Sequence, residues 1–166
     1  GRALVEAARG RAGHRRAQRR ARRAALLAAL GLGPGDDVAA AVDEQGQAGL
    51  LIAMRETSPK VIQVLLDPPK TNVEVRNAKD ESPLMLAALK GQQDLVKRLI
   101  ARDADVNKPG WTPLHYAPTG GHVAIMKELL ENYAFIDAQS PNGSTPLMMA
   151  AMYGSAAAVQ LLLDRG

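Results

Sequence analysis

The sequence predicts an all-α repeat solenoid, in which helix-turn-helix pairs stack side by side, joined by β-hairpin-like loops and preceded by a basic N-terminal helix. Three observations carry that prediction. One phrase occurs four times: Ala48-Gly49-Leu50-Leu51-Ile52-Ala53, Ser82-Pro83-Leu84-Met85-Leu86-Ala87, Thr112-Pro113-Leu114-His115-Tyr116-Ala117 and Thr145-Pro146-Leu147-Met148-Met149-Ala150. The second positions of these copies lie 34, 30 and 33 residues apart, and a fixed period of roughly 33 marks an array of stacked supersecondary units. The apolar residues are chiefly Ala, Leu, Val, Ile and Met, and the few aromatics all fall between Trp111 and Tyr153. Such small and branched side chains suit thin helices packed closely side by side.

Residues 1–42 stand outside the repeat. Nine arginines against the single acid Glu6 place residues 1–23 at +8, while the rest of the chain carries −4. A helix is predicted over His14–Leu30, because Ala, Arg and Leu are strong helix formers. Gly31-Leu32-Gly33-Pro34-Gly35 ends it as a linker. Four readings of this segment stay open. It is a solvated basic helix without a role, or a secretory signal over residues 15–32 with its apolar stretch at Ala24–Leu32. It is an arm in which Arg15, Arg16, Arg19, Arg20, Arg22 and Arg23 neutralise phosphates of nucleic acid or anionic membrane. Or it is the product of a shifted reading frame in GC-rich coding, since the composition has no packing logic. No aromatic interleaves the arginines, so base stacking has no support.

The third copy shows how each repeat is built. Thr112 is a helix N-cap and Pro113 is preorganised for the first turn, where a missing N–H costs nothing. Leu114 and Ala117 face inward, and Gly120-Gly121 ends the helix because glycine readily adopts left-handed geometry. A second helix over 123–131 carries Ile125, Met126, Leu129 and Leu130 on one face. A loop through Asp137 and the turn Pro141-Asn142-Gly143 lead to the next copy. The other predicted pairs are 49–56 with 61–66, 83–90 with 95–100, and 146–153 with 158–163. Each pair has an apolar face that it buries only against a neighbour. The expected repeats span 43–76, 77–107, 108–138 and 139–166. A start at Gly1 without an initiator Met, and a stop at Asp164-Arg165-Gly166 inside a repeat, lead to the expectation of a piece of a longer protein.

The phrase, its spacing and its flanks resemble the ankyrin repeat over residues 43–166, about three quarters of the chain. The resemblance implies that His115 ties its helix to the threonine hydroxyl and to neighbouring backbone, and that His122 supports the turn between helices. It implies a ligand-contacting concave face made of hairpin tips and outward positions of the first helices. The tips are Glu44, Gln45 and Gln47; Ala78, Lys79 and Glu81; Lys108, Pro109 and Trp111; and Pro141, Asn142 and Ser144. The helix positions are Arg55 and Glu56, Leu89 and Lys90, Thr119 and Gly120, and Met152 and Tyr153. Three departures stand out. The hairpin before Trp111 is about three residues short, Pro118 replaces an alanine, and Thr57-Ser58-Pro59 replaces a Gly-His.

Chemistry finds little support. Without cysteine there is no disulfide, thiol nucleophile or thiolate metal site, and no apolar run approaches the ~18 residues that span a bilayer. His14, His115 and His122 lack metal-ligand spacing. The carboxylates have no reason to converge as acid and base, and Gly31–Gly35 follows a helix rather than the strand a phosphate loop needs. The expectation is a non-enzymatic module with no cofactor, metal or small-molecule substrate. It binds another protein through Glu81, Leu89, Lys90, Trp111, Asn142, Ser144, Met152 and Tyr153. Trp and Tyr are the usual hot spots of interfaces, and Lys79, Lys90, Glu81 and Glu56 form the polar rim. Lys97, Arg98, Arg102, Lys127, Glu128 and Glu131 read as a solvated back face. Two other readings stand beside this one: Trp111 folds back over its short hairpin while Met152 and Tyr153 pack on a further repeat, or the arginines of 11–23 bind nucleic acid or anionic lipid and the repeats only position them. The compartment stays open between cytoplasmic and, if residues 15–32 are a signal, periplasmic or secreted.

Overall fold

A computed structural model describes residues 48–55, 59–67 and 71–166. The expected helix over 14–30, the glycine-rich linker, the signal and arginine-arm readings, His14, and the tip and rim residues Glu44, Gln45, Gln47 and Glu56 lie outside the described residues. Among the described residues, eight α-helices follow in order: α1 (Gly49–Arg55), α2 (Pro59–Leu66), α3 (Pro83–Leu89), α4 (Gln93–Ile100), α5 (Pro113–Tyr116), α6 (Val123–Glu131), α7 (Pro146–Met152) and α8 (Ala156–Arg165). They form four pairs. Apart from one bridge residue at Ala48, the described residues contain no strand, so the hairpin-like loops are turns.

Local chemistry starts the first helix of the three later pairs. Ser82 and Thr145 are extended, and their hydroxyls accept the amides of Met85 at 3.2 Å and Met148 at 3.3 Å. A proline occupies the first turn of α3, α5 and α7, where its missing N–H removes nothing. Pro118 leaves a visible mark. Helix α5 lasts four residues, and Ala117–Gly120 continues as a 3-10 turn that Gly121 ends at φ 66°. Proline has no amide to give back to the α-helical ladder, so the chain tightens instead.

Stacking then joins neighbours. Helices α1, α3, α5 and α7 lie in a row, each against the next, and α4, α6 and α8 form a second row behind them. Leu84, Met85, Val96, Leu99, Leu114, Ile125, Met126 and Leu129 are wholly buried between the rows. Burying one such side chain stabilises by about 1.5–3 kcal/mol. Ala87, Ala88, Ala117 and Ala150 are buried completely where the first helices touch, and side chains this small let the backbones approach.

Polar staples tie the back of the array, and one corrects an expectation. Arg102 is not simply solvated: its guanidinium donates to the carbonyl of Leu66 at 2.7 Å and of Thr71 at 3.1 Å. It satisfies one acceptor that the end of α2 leaves without a helical partner and one in the loop beyond. Asn107 works the same way one repeat on, donating to the carbonyl of Tyr133 and accepting the amide of Phe135, both at 2.7 Å. The Lys97–Glu128 contact at 3.8 Å is half exposed and adds at most about 1 kcal/mol.

Candidate functional site

Because α3, α5 and α7 lie side by side, their C-terminal ends fall along one edge, and a groove of about 330 Å³ opens there. Its walls are Leu89 from the end of α3, Tyr116 from the end of α5, Thr119 from the 3-10 turn, Met149 from α7, Tyr153 just after α7, and Trp111 from the loop before α5. Leu89 is 36% exposed and Tyr153 56%, while Trp111 and Tyr116 are half-buried. Thr119 turns its hydroxyl to the carbonyl of Tyr116 at 2.7 Å, a small side chain between two bulky flanks.

Trp111 is held rather than loose. Its ring meets His115 edge-on at 5.4 Å and Tyr116 at 6.1 Å, both at an interplanar angle of 75°. Such pairs contribute about 0.5–1.5 kcal/mol beyond the area they bury. Trp111 therefore packs against its own helix and also faces the groove, so folding back and lining a surface are one arrangement.

His115 supports that wall from beneath and is completely buried. The Thr112 amide donates to Nδ1 at 3.1 Å, and the Thr112 hydroxyl lies 2.8 Å from the same atom. A backbone N–H only donates, so Nδ1 is the acceptor and Nε2 carries the proton. Nε2 donates it to the carbonyl of Ser144 at 2.9 Å. Burial lowers the imidazole pKa, with backbone bonds to Ser144 and Ala138 opposing the shift. His122 Nε2 lies 3.2 Å from the carbonyl oxygen of Leu89, which ties the turn after α5 to the end of α3. Both histidines are engaged as the resemblance implies.

Glu81 stands at the groove's rim. Its carboxylate accepts from Asn77 Nδ2 at 2.6 Å and from the Tyr116 hydroxyl at 3.3 Å. Burial first, then the charge and hydrogen bond of Glu81 and the charge of Asp80, push the Tyr116 hydroxyl up to about 12.

Leu89, Trp111 and Tyr153 come together in the groove, with Glu81 beside them. Lys90, Asn142, Ser144 and Met152 do not line it. The Lys90 ammonium reaches back to the carbonyls of Met54 and Arg55 at the end of α1, so it fastens one repeat to the previous one. Asn142 Oδ1 accepts from the Ser140 hydroxyl at 2.6 Å and the Ser144 amide at 3.2 Å, which makes these residues the frame of the turn. Met152 is 70% exposed beyond the groove. Lys108, expected at a tip, is buried. Its ammonium pairs with Asp80 and donates to the carbonyls of Pro109 at 2.9 Å and Trp111 at 3.3 Å. Backbone bonds join Asn77 with Glu81 and Ser140 with Ser144, but among the described residues none closes 107–111. The lysine supplies the missing closure.

Sequence reasoning missed Tyr116 and Met149 as wall residues. The signal was there: both occupy the fifth position of the recurring phrase. Leu86 holds that position one repeat earlier and is buried. Among the described residues no cluster of three or more His, Asp or Glu is placed to hold a metal ion, and no helix is long and apolar enough to cross a membrane.

A family model described as ankyrin repeats (3 copies) matches residues 21–109, 50–140 and 84–166. The chain is similar to ankyrin repeat and SAM domain-containing protein 6 of Rattus norvegicus, 32% identical over 107 residues, which are 62% of this chain and 12% of that protein. It is similar to B-cell lymphoma 3 protein homolog of Mus musculus, 32% identical over 133 residues, or 76% of this chain and 30% of that one. Glycerophosphocholine phosphodiesterase GDE1 of Candida albicans is 31% identical over 125 residues, 70% of this chain and 10% of the enzyme. The chain thus spans at most 30% of the length of these relatives.

Proposed function

Because this chain belongs to the ankyrin-repeat family, we propose that it is a non-enzymatic module that holds a partner protein in the groove of Leu89, Trp111, Tyr116 and Tyr153. Ankyrin repeats generally mediate protein–protein interaction, and the family is generally non-enzymatic. The observation that carries the reading is convergence: apolar and aromatic residues from three repeats line one groove. Aromatic anchors in such hollows are where binding energy concentrates. Glu81, bonded to the Tyr116 hydroxyl, lies on the polar side of this surface. A relative with an enzyme's name matches over a small share of its own length, which is compatible with a binding role for the shared part.

Capture from lysate and membrane fractions tests this, with the parent chain set against a Leu89→Ala/Trp111→Ala/Tyr153→Ala variant of matched melting by circular dichroism. A partner retained by the parent and lost by the equally stable variant supports the groove. Equal capture by both sinks it. A second reading rests on the +8 charge of residues 1–23, with the arginines between Arg11 and Arg23 holding nucleic acid or anionic lipid. Binding of that kind collapses steeply as salt rises, whereas an apolar groove persists.

A further inference from the structure

The charge at the groove's rim points to what fills it, granted that the groove is the docking surface. Among the described residues, the Glu81 carboxylate contacts only neutral donors, Asn77 Nδ2 and the Tyr116 hydroxyl. Lys79, two residues away, makes no ion pair with it among the described residues, and three other cations nearby are engaged elsewhere. Lys108 holds Asp80 and two carbonyls, Arg76 pairs with Glu74 and Asp80, and Lys90 reaches to Met54 and Arg55. A carboxylate at the rim with no counter-ion gives that side of the groove a negative potential, to which a cationic guest is complementary.

The walls favour the same sign. Trp111, Tyr116 and Tyr153 bring three aromatic rings to one hollow, and ring faces attract cations. Leu89 and Met149 supply apolar surface for a methylene stem. An anionic guest would meet repulsion from the carboxylate.

We propose that the groove takes an arginine side chain from a partner peptide, its stem against Leu89 and Met149 and its guanidinium among the rings, directed at Glu81. Arginine fits better than lysine, because a planar guanidinium stacks on aromatic faces and forks onto a carboxylate. The negative potential that helps raise the Tyr116 hydroxyl is the field such a guest would enter.

Trp111 is the chain's only tryptophan, so its emission reports on the groove directly. The full chain is titrated with a capped pentapeptide carrying arginine between two leucines, and with the same peptide carrying citrulline or norleucine instead. A saturating change with the arginine peptide is expected, with binding about tenfold weaker for citrulline, and about tenfold weaker for the arginine peptide on Glu81→Gln. Equal binding of the norleucine peptide overturns the cation and leaves the groove standing. No emission change with any peptide also overturns it, and the capture comparison then judges the groove separately. An emission change with protein concentration alone would put a second copy in the groove and overturn the separate partner. The peptide series needs no altered protein, so it remains decisive even if Glu81→Gln fails to fold.

Discussion

The imidazole of His115 donates from Nε2 to the carbonyl oxygen of Ser144 at 2.9 Å, which bridges α5 to the turn that precedes α7. The same ring receives the Thr112 amide on its other nitrogen and the edge contact with Trp111 on its flank. One buried side chain therefore sets the stacking of two repeats and the position of the groove's aromatic wall.

That network makes stability depend on pH with a definite sign. Burial lowers the His115 pKa from its ordinary 6.5, so just below that value the unfolded chain binds a proton that the folded chain does not. Stability contributed here is full above about pH 6.5 and is lost as pH falls toward the folded value. His115→Gln removes the titration and is expected to cost about 2 kcal/mol near neutrality, through broken buried bonds. Urea unfolding from about pH 7 to pH 5 should show a steeper fall for the parent than for the variant. Parallel slopes would refute the assignment.

Gly91 is required twice over. It sits at φ +69°, and an added Cβ would lie 2.5 Å from His122 Cε1. Gly91→Ala should cost about 2 kcal/mol, from left-handed strain plus the clash. Adding His122→Ala relieves the clash and leaves the strain, so a double-mutant cycle should show coupling. Strict additivity would mean that the ring moves aside freely.

Pro118 forces the 3-10 turn after α5, and Pro118→Ala should let the helix run on. An interior proline costs about 3 kcal/mol, but this ring is buried, and losing two methylenes from the core costs about 1.6 kcal/mol. A net gain of about 1 kcal/mol is expected, read as a higher melting temperature. An unchanged or lower value would mean that ring burial outweighs the helical bond.

Lys108→Met should cost about 2 kcal/mol in chemical unfolding, because the carbonyls of Pro109 and Trp111 lose their donor. Asp80 is 66% exposed in its side chain and is rehydrated, so the ion pair itself adds little. Trp111 emission should shift to the red as its loop loosens. A variant with parent-like emission would show that the loop holds without the ammonium.

The repeats were legible in the sequence because their signals are local. Thr145 as a cap, Pro113 and Pro146 in a first turn, and Gly121 as a left-handed stop each act over a few residues. The roles of Lys90, Lys108 and Arg102 were not legible. A lysine two residues before a glycine reads as a charged tip, and only folding shows that the closing bonds of that turn are absent and that Nζ replaces them. Likewise Arg102 looked solvated until α2 and its following loop came near enough to offer two carbonyls.

Periodicity by itself determined the helix pairs, their order and their dependence on neighbours, since an amphipathic pair spaced at about 33 residues has little else to bury against. Tertiary structure alone decided that Leu89 and Tyr153 share one groove with Trp111 between them, and that Glu81 stands beside it without a counter-ion. Those relationships depend on how far one repeat rotates and shifts on the next. That geometry is set by the fit of Ala87, Ala88, Ala117 and Ala150 across the stack, and no local pattern specifies it.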